Sequence, residues 1–385
     1  MDKKESLSTI FPPISKEKWI ANVEKELKGK ALEELSWQLE ADILISPFFH
    51  PDVDKPSSPL TLYDARQQNE WEIGQQIAVN QAHVANQQTL EALKGGVNAP
   101  LFAWEAPISA EAFHILFKGV NPTYISTHFS WHGNGIDPRA LLSQYQNFLA
   151  GQEIPRQQVS GSLAYDPLEA GQPLTTLVDL IQKNTFPRFK YCQIDGSVND
   201  KDPGHTSSAL AQMISRGNAY LDQLQTAGIP PTRTNQCLQF LLGVGNSFFV
   251  EIAKLRALRL LWMNVLAAYD VAAEMPPIVV HTLPPSSAVG PYQHMIQSAT
   301  QAMSAVIGGA NRLYVLPADS LQNLSDHRFS DNPDFGARIA RNVQHLLQEE
   351  SFLGRVIDPA AGSYYVEVLT EQLAQKAWRL FQEAV

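Results

Sequence analysis

The stretch CLQFLLGVGNSFFVEIAKLRALRLLW (residues 237–262) contains an apolar strand pattern, a glycine turn and a helical pattern. Its first part is a short apolar run that ends at glycine, which is typical of a strand buried in a parallel sheet. Its second part repeats apolar residues every three or four positions from Phe248 through Leu255 to Trp262, which predicts a helix. A strand followed directly by a helix is the repeating unit of parallel α/β folds.

Seven further segments show the same strand pattern, and helical patterns separate them. They are WEIGQQIAV (71–79), NAPLFAWE (98–105), TYISTHFS (123–130), QVSGSLAYD (158–166), FKYCQIDGS (189–197), PIVVHTLPP (277–285) and RLYVLPAD (312–319). Eight alternations predict an α/β fold in which a closed (β/α)₈ TIM barrel occupies residues 61–385. An open doubly wound sheet accounts less well for eight strands over this length.

The two ends of the chain carry helical patterns of their own. SKEKWIANVEKELKG (15–29) has a capping serine, apolar residues at helical spacing and a final glycine, and the following HPDVDKPSSP (50–59) has the composition of a linker. Residues 1–60 are therefore predicted to form an N-terminal helical arm and linker. LTEQLAQKAWRLFQEAV (369–385) is amphipathic without a stop signal, so we expect the native protein to continue beyond it.

Composition excludes several classes of function. The net charge of −10 argues against a nucleic-acid surface, which requires concentrated Lys and Arg. The sequence has neither an apolar run near the ~20 residues of a membrane span nor a secretory signal, so we expect no membrane association and a cytoplasmic location. Cys192 and Cys237 lie in apolar segments, which favours buried, reduced thiols.

Reactive residues of a barrel enzyme lie at the carboxyl ends of its strands, which limits the candidates. They are His128, Trp131 and His132 after the third strand, Tyr165 and Asp166 after the fourth, Asp195 and Asn199 after the fifth, and His281 after the seventh. His128 and His132 lack a third ligand, which favours a structural or water-bound pair over a metal site. Asp195 is a general base if burial raises its pKa, or else a solvated loop acid.

Two features of residues 243–259 have both a functional and a structural interpretation. Gly243 and Gly245 follow a strand, where backbone N–H groups can bind phosphate, but the third glycine of a dinucleotide fingerprint is missing and close packing is favoured. Lys254, Arg256 and Arg259 share one helix, and we expect them on a solvated or interface face rather than at a ligand.

Several long motifs resemble the methylmalonyl-CoA mutase family. They are WQLEADILISPFF (37–49), FFVEIAKLRALRLLW (248–262), PYQHMIQSATQAMSAVIGG (291–309), GARIARNVQHLLQEES (336–351) and RVIDPAAGSYYVEVLTEQLAQKAW (355–378), so the resemblance extends over nearly the whole chain. It implies a barrel joined to a C-terminal cobalamin-binding domain, and we expect that domain not to be present in this chain. It further implies a radical interconversion of methylmalonyl-CoA and succinyl-CoA with adenosylcobalamin, in which the CoA arm passes along the barrel axis.

The family's active-site positions are degenerate in this chain. Its RQYAGFST pattern aligns with GQQIAVNQ (74–81), which puts Gln76 in place of the tyrosine, and its ISGYH pattern puts Val198 in place of the histidine. Its RxHCQTSGWS pattern aligns with VVHTLPPSSA (279–288), which keeps His281 but loses the arginine and the tryptophan. PLEAGQPLTTL (167–177) offers no arginine for the substrate carboxylate, and the cobalt-ligating DxHxxG motif is absent. We therefore predict no catalytic, cofactor-binding or metal-binding residue.

Some family members are heterodimers of a catalytic large (α) subunit and a homologous small (β) subunit that does not catalyse. The resemblance implies that this chain is such a non-catalytic small subunit, with adenosylcobalamin bound by the large subunit and a homodimer possible in isolation. Two alternatives stay open. One is an autonomous acyl-CoA mutase-like enzyme with altered substrate specificity that uses His128, His132 or Asp195, and the other is a module that binds acyl-CoA or a cobalamin chaperone.

Overall fold

Eight parallel strands surround a common axis in the computed structural model, which describes residues 14–28, 30–50, 68–107, 109–131, 136–197, 203–272, 274–284, 290–318 and 334–384. The barrel strands are β3 (Glu72–Ala78), β4 (Ala99–Trp104), β5 (Ser126–Trp131), β6 (Ser160–Leu163), β7 (Phe189–Lys190), β8 (Cys192–Asp195), β9 (Leu238–Val244), β10 (Ile278–Thr282) and β11 (Arg312–Tyr314). Each begins within one of the eight segments predicted from the sequence.

The barrel closes because β7 and β8 are two parts of one strand, separated only by Tyr191. The hydrogen-bonded order is β7-β6-β5-β4-β3-β11-β10-β9-β8, and β7 pairs with β6 while β8 pairs with β9. Backbone bonds of 2.9 Å from Tyr191 N to Cys237 O and from Gln193 N to Tyr165 O tie the junction to both neighbours. The predicted (β/α)₈ fold is confirmed.

Helices cover the outer surface of the barrel. They are α2 (Ala82–Lys94), α3 (Ala110–Leu116), α4 (Pro138–Gly151), α5 (Thr175–Lys183), α6 (Thr206–Thr226), α7 (Pro231–Cys237), α8 (Phe248–Ala268), α9 (Pro291–Ile307), α10 (Phe335–His345) and α11 (Tyr364–Ala384). None of the helices in the described residues is long and apolar enough to cross a bilayer. Cys192 and Cys237 are buried free thiols, and burial raises the pKa of each.

The N-terminal segment packs on the barrel through one buried carboxylate. It contains α1 (Lys16–Glu26), which Ser15 caps as predicted, and a hairpin of β1 (Trp37–Glu40) and β2 (Ile43–Ile45). Glu40 accepts a 2.8 Å hydrogen bond from Ser207 N in the first turn of α6 and lies 2.9 Å from Lys376 Nζ in α11. A carboxylate satisfies free N–H groups at a helix N-terminus, so the hairpin stabilises α6. Apart from His50, the predicted linker falls on residues outside the described ranges.

The prediction for the charges of α8 is wrong. Lys254, Arg256 and Arg259 are at most 2% exposed, because α11 and the segment before it pack over this helix. Arg256 pairs with Asp358 and with Glu367, and the guanidinium of Arg259 donates to the carbonyl oxygen of Gly309. Buried charges of this kind require partners, and the chain supplies them from segments distant in sequence.

The turn after β9 bears out the packing interpretation of its glycines. A Cβ atom at Gly243 would lie 2.6 Å from the side chain of Leu283. The Gly245 N–H donates to the Glu251 carboxylate at 2.9 Å, and Lys254 Nζ lies 2.6 Å from that carboxylate and 2.7 Å from Gly243 O. A carboxylate of the chain itself therefore uses the N–H group that a phosphate would need.

Candidate functional site

A cavity of about 260 Å³ lies inside the barrel toward the carboxyl ends of the strands. Alternate residues of each strand face the axis, so its walls come from every strand except β7. We call it the axial cavity. Its lining residues are Gln76, Leu101, His128, Ser130, Trp131, Ser162, Ala164, Asp166, Gln193, Asp195, Gln239, Leu241, Val279, His281, Arg312 and Tyr314.

A chain of hydrogen-bonded polar side chains runs around the inside of the barrel at the deep end of this cavity. Its members are Ser160, Ser126, Glu72, Arg312, Gln239 and Gln193, and we call them the polar belt. Ser160 lies 3.0 Å from Ser126, Ser126 donates to Glu72, and Glu72 Oε2 lies 2.6 Å from Arg312 Nε. Arg312 Nη1 lies 3.4 Å from Gln239 Oε1, and Gln239 Nε2 donates to Gln193 Oε1 at 2.7 Å. The belt thus joins six strands inside the barrel.

His128 lies above the polar belt and is fully buried. Its Nδ1 is 2.8 Å from Ser162 Oγ, and its Nε2 is 3.7 Å from Glu72 Oε2, which is too far for a hydrogen bond. Burial and the nearby Arg312 hold the pKa of His128 well below its usual value. The imidazole is therefore neutral, and its position suits a packing role rather than a metal ligand.

His281 stacks on Tyr314 at the upper part of the cavity. The ring centroids are 4.6 Å apart, and neither imidazole nitrogen has a hydrogen-bond partner among the described residues. Burial, with a smaller contribution from Arg312, lowers the pKa of His281 to about 4. Burial raises the pKa of Tyr314, whose hydroxyl has no hydrogen-bond partner in the described part of the chain. Both side chains are neutral near pH 7.

Hydrogen bonds from neighbouring groups hold the two carboxylates at the rim of the axial cavity. Asp166 accepts a 2.5 Å hydrogen bond from the Tyr220 hydroxyl and lies 3.0 Å from Arg216 Nη1. Asp195 Oδ1 accepts hydrogen bonds of 2.8 Å and 2.6 Å from the backbone N–H and the hydroxyl of Ser197. Asp195 thus stabilises the turn after β8, which favours the loop-acid interpretation over the general base.

A second cavity of about 240 Å³, which we call the rim cleft, lies beside the first between the ends of β3 and β11 and the helix α10. Gln76, His281 and Tyr314 line both cavities. Arg341 of α10 borders the cleft and donates to Gln75 Oε1 at 2.7 Å. Burial lowers the pKa of Arg341, although an arginine keeps its charge at neutral pH.

Comparison with known proteins assigns this chain to a protein family. The family model described as methylmalonyl-CoA mutase matches residues 106–384. This chain belongs to the methylmalonyl-CoA mutase family. It is 30% identical to the methylmalonyl-CoA mutase small subunit of Porphyromonas gingivalis over 98% of this chain, and 29% identical to that of Streptomyces virginiae over 98%. It is also 27% identical, over 71% of its length, to the methylmalonyl-CoA mutase large subunit of Porphyromonas gingivalis.

The chain is shorter than these members of the methylmalonyl-CoA mutase family. It spans 64% of each of the two small subunits and 39% of the large subunit. The resemblance inferred from the motifs is thereby confirmed as family membership.

The structure brings two of the three degenerate family positions together. Gln76 and His281 both line the axial cavity and the rim cleft, whereas Val198 lies outside the described residues, as do His132 and Asn199. Trp131 lines the axial cavity, and the Tyr165 ring packs 6.0 Å from it. Within the described ranges no group of three His, Cys, Asp or Glu side chains is placed to hold a metal ion.

The cavity residues supply no cobalt ligand of the family's kind, because the resemblance places that histidine in a DxHxxG motif, which is absent from residues 1–385. The two histidines of the cavities are held inside the barrel instead. His128 is fully buried against Ser162, and the His281 ring is stacked on Tyr314 with its pKa lowered by burial. No other described histidine lines either cavity.

The structure also reveals charged residues that the sequence analysis missed. Arg312, Glu72 and Arg341 lie at or between the two cavities, although no cation was expected there. Strand alternation is a signal that could have indicated two of them, since Arg312 shares a face with Tyr314 and Glu72 shares one with Gln76. Arg341 lies on a helix, and only the packing of α10 brings it to the cleft.

Proposed function

We propose that this chain is the non-catalytic small (β) subunit of a heterodimeric methylmalonyl-CoA mutase. In this role it supports a catalytic large (α) subunit, which binds adenosylcobalamin and interconverts methylmalonyl-CoA and succinyl-CoA. The observation that carries the proposal is the polar belt, because it fills the interior of the barrel with hydrogen-bonded side chains from six strands. The resemblance to the family implies that the CoA arm passes along the axis of this interior.

The charges of the axial cavity support the same role. A methylmalonyl group carries a carboxylate, which needs a free cation in a site that excludes water. Arg312 lines the cavity but lies 2.6 Å from the Glu72 carboxylate, and Asp166 and Asp195 add negative charge to the lining. Breaking this partly exposed pair costs about 1–3 kcal/mol, so Arg312 is a poor partner for a substrate.

The names of the relatives support the partner assignment. Porphyromonas gingivalis has proteins described as the small and the large subunit of methylmalonyl-CoA mutase, and this chain is similar to both. We propose that the partner here is a large subunit of the same kind, that adenosylcobalamin binds there, and that the complex is cytoplasmic.

Purification with and without the large subunit tests this proposal. The chain and a homologous large subunit are expected to copurify and, with adenosylcobalamin, to convert methylmalonyl-CoA to succinyl-CoA. The chain alone is expected to form no succinyl-CoA under the same conditions. Turnover by this chain without the large subunit would refute the non-catalytic role, and a failure to copurify would refute the partnership.

The autonomous acyl-CoA enzyme is the second candidate, and the polar cavity with His281 is the observation in its favour. It requires an open axial path for the pantetheine arm and a cation for any acidic acyl group. The polar belt leaves little room for an open axial path, and the pairing of Arg312 with Glu72 leaves no free cation for the acyl group among the described residues of the axial cavity.

A further inference from the structure

The rim cleft has an apolar wall that small residues leave open. Val315, Leu316 and Pro317 form one side of it, and Ala337 and Ala340 of α10 form the other. Gly74 lies at its base, where a Cβ atom would come within 2.5 Å of the Tyr314 ring. Apolar cavities with a few convergent polar groups are the usual form of small-molecule sites.

One cation at the edge of the cleft is distinguished by its partners. Arg341 is half-buried and its guanidinium bonds the neutral Gln75 side chain, and no carboxylate of the described residues lies within 4 Å of it. By contrast, Arg216, Arg256 and Arg312 each pair directly with a carboxylate. Asp334 and Glu91 act on Arg341 only from beyond that distance. A half-buried arginine beside apolar surface, with no directly paired carboxylate among the described residues, favours an anion.

We propose that the rim cleft binds a small monocarboxylate with an apolar body. The carboxylate pairs with Arg341, the Gln75 amide nitrogen donates a second hydrogen bond, and the apolar body lies between residues 315–317 and the alanines of α10. A cavity of roughly 150 Å³ holds a benzene molecule, so a cleft of about 240 Å³ accommodates a ring with a carboxylate. Arg341 is the single cation among the described residues that line the cleft, which disfavours a dicarboxylate. This inference goes beyond the subunit role and does not depend on it.

Calorimetric titration of the isolated full chain tests the proposal with benzoate and, as a neutral isostere, benzyl alcohol. We expect benzoate to bind and benzyl alcohol to bind at least about tenfold more weakly, because it lacks the charge-assisted pair. In Arg341→Gln the affinity for benzoate is expected to fall to that for benzyl alcohol. The matched control is Arg338→Gln, an exposed position one turn earlier on α10, which is expected to leave benzoate binding unchanged.

A second variant tests the apolar wall without altering the charge. Ala337→Leu fills the cleft and is expected to abolish the binding of both probes, while the circular dichroism spectrum checks that each variant is folded. The absence of benzoate binding to the wild-type chain at about 10 mM would overturn the proposal, since even a millimolar site is detectable there. Equal benzoate affinity in the wild type and Arg341→Gln, or in the wild type and Ala337→Leu, would also overturn it.

Discussion

The Glu72–Arg312 pair shows how two residues decide what the barrel axis can hold. Arg312 Nε lies 2.6 Å from the carboxylate, and the arginine side chain is 8% exposed while that of Glu72 is 33% exposed. Ser126 of β5 holds Glu72, and Gln239 of β9 holds Arg312, each from two strands away in the sheet. Each partner therefore depends on the other for its charge to be tolerated inside the barrel.

Replacing Arg312 by methionine is expected to destabilise the protein, because the Glu72 carboxylate loses its counter-charge. We expect a loss of about 1–3 kcal/mol in the free energy of unfolding, which is less than for a fully buried pair since Glu72 is partly exposed. Urea unfolding measures the change. Arg139→Gln, which breaks the exposed pair with Asp137, is the control and should cost less than about 1 kcal/mol. Equal costs for the two variants would contradict the interpretation.

His281 is expected to make stability depend on pH. Its pKa is about 4 in the folded protein and about 6.5 in the unfolded chain, so the unfolded chain binds more protons between these values. The free energy of unfolding therefore falls as the pH is lowered through this window, and the contribution of His281 at pH 5 is about 1–2 kcal/mol.

Comparison of urea unfolding at pH 7.5 and pH 5 tests this expectation. His281→Gln should lose less stability than the wild type on acidification, while His83→Gln, at an exposed position, should behave like the wild type. The lowered pKa of His128 also makes the protein less stable on acidification. Because His128 is present in all three proteins, its effect cancels in the comparison. An identical pH dependence in the wild type and His281→Gln would show that the folded protein accepts the proton.

At the scale of elements, α8 joins the barrel to the C-terminal helix through buried charge. Arg256 has no exposed surface, and its guanidinium lies 2.7 Å from Glu367 Oε2 of α11 and also pairs with Asp358. The helix is apolar around most of its circumference because the barrel covers one side and α11 covers another. Its charges thus specify how α11 docks.

Arg256→Met is expected to destabilise the fold more than any surface charge change. Two buried carboxylates would lose their counter-charge, and breaking such a network costs about 3–5 kcal/mol. Urea unfolding measures the loss, and Arg379→Gln, at an exposed position of α11, is a suitable control. The triple variant Arg256→Met, Asp358→Asn, Glu367→Gln should recover part of the loss, because no buried charge then stays unpaired. If the triple variant recovers no stability, then lost packing rather than unpaired charge accounts for the cost of Arg256→Met.

At the scale of the whole molecule, the barrel is closed and hydrogen-bonded polar side chains fill part of its interior. All eight strands pair around the circle, yet the polar belt joins six of them through the interior. Above the belt the axial cavity measures about 260 Å³. A cavity of this size lies below the usual 300–1,000 Å³ range of drug-sized ligand sites, and CoA is larger still.

We therefore expect CoA to bind this chain weakly or not at all. Titration of the isolated chain with CoA should give no dissociation constant below about 1 mM, and the complex with a large subunit should bind CoA at one site per heterodimer. The large subunit by itself, if it can be purified, is the control for that site. A micromolar dissociation constant for the isolated chain would show that the axis admits the pantetheine arm.

The sequence by itself determined the number and type of the strands, because apolar runs and helical spacing are local patterns that the barrel preserves. It also determined the family, since the motifs at residues 248–262 and 336–378 are long and specific. It indicated His281 and Gln76 as residues of the site, because motif alignment assigns them to strand ends.

Only the tertiary structure decided what these residues touch. Arg256 and Glu367 are more than 100 positions apart, and Glu72 and Arg312 are 240 apart, so no local pattern relates either pair. Burial of Arg256 and Arg259 was misjudged for the same reason, since α11 and the residue Gly309 reach them from distant parts of the chain. Local spacing fixes an element, whereas ion pairs, burial and cavities arise only when the barrel closes and brings distant residues together.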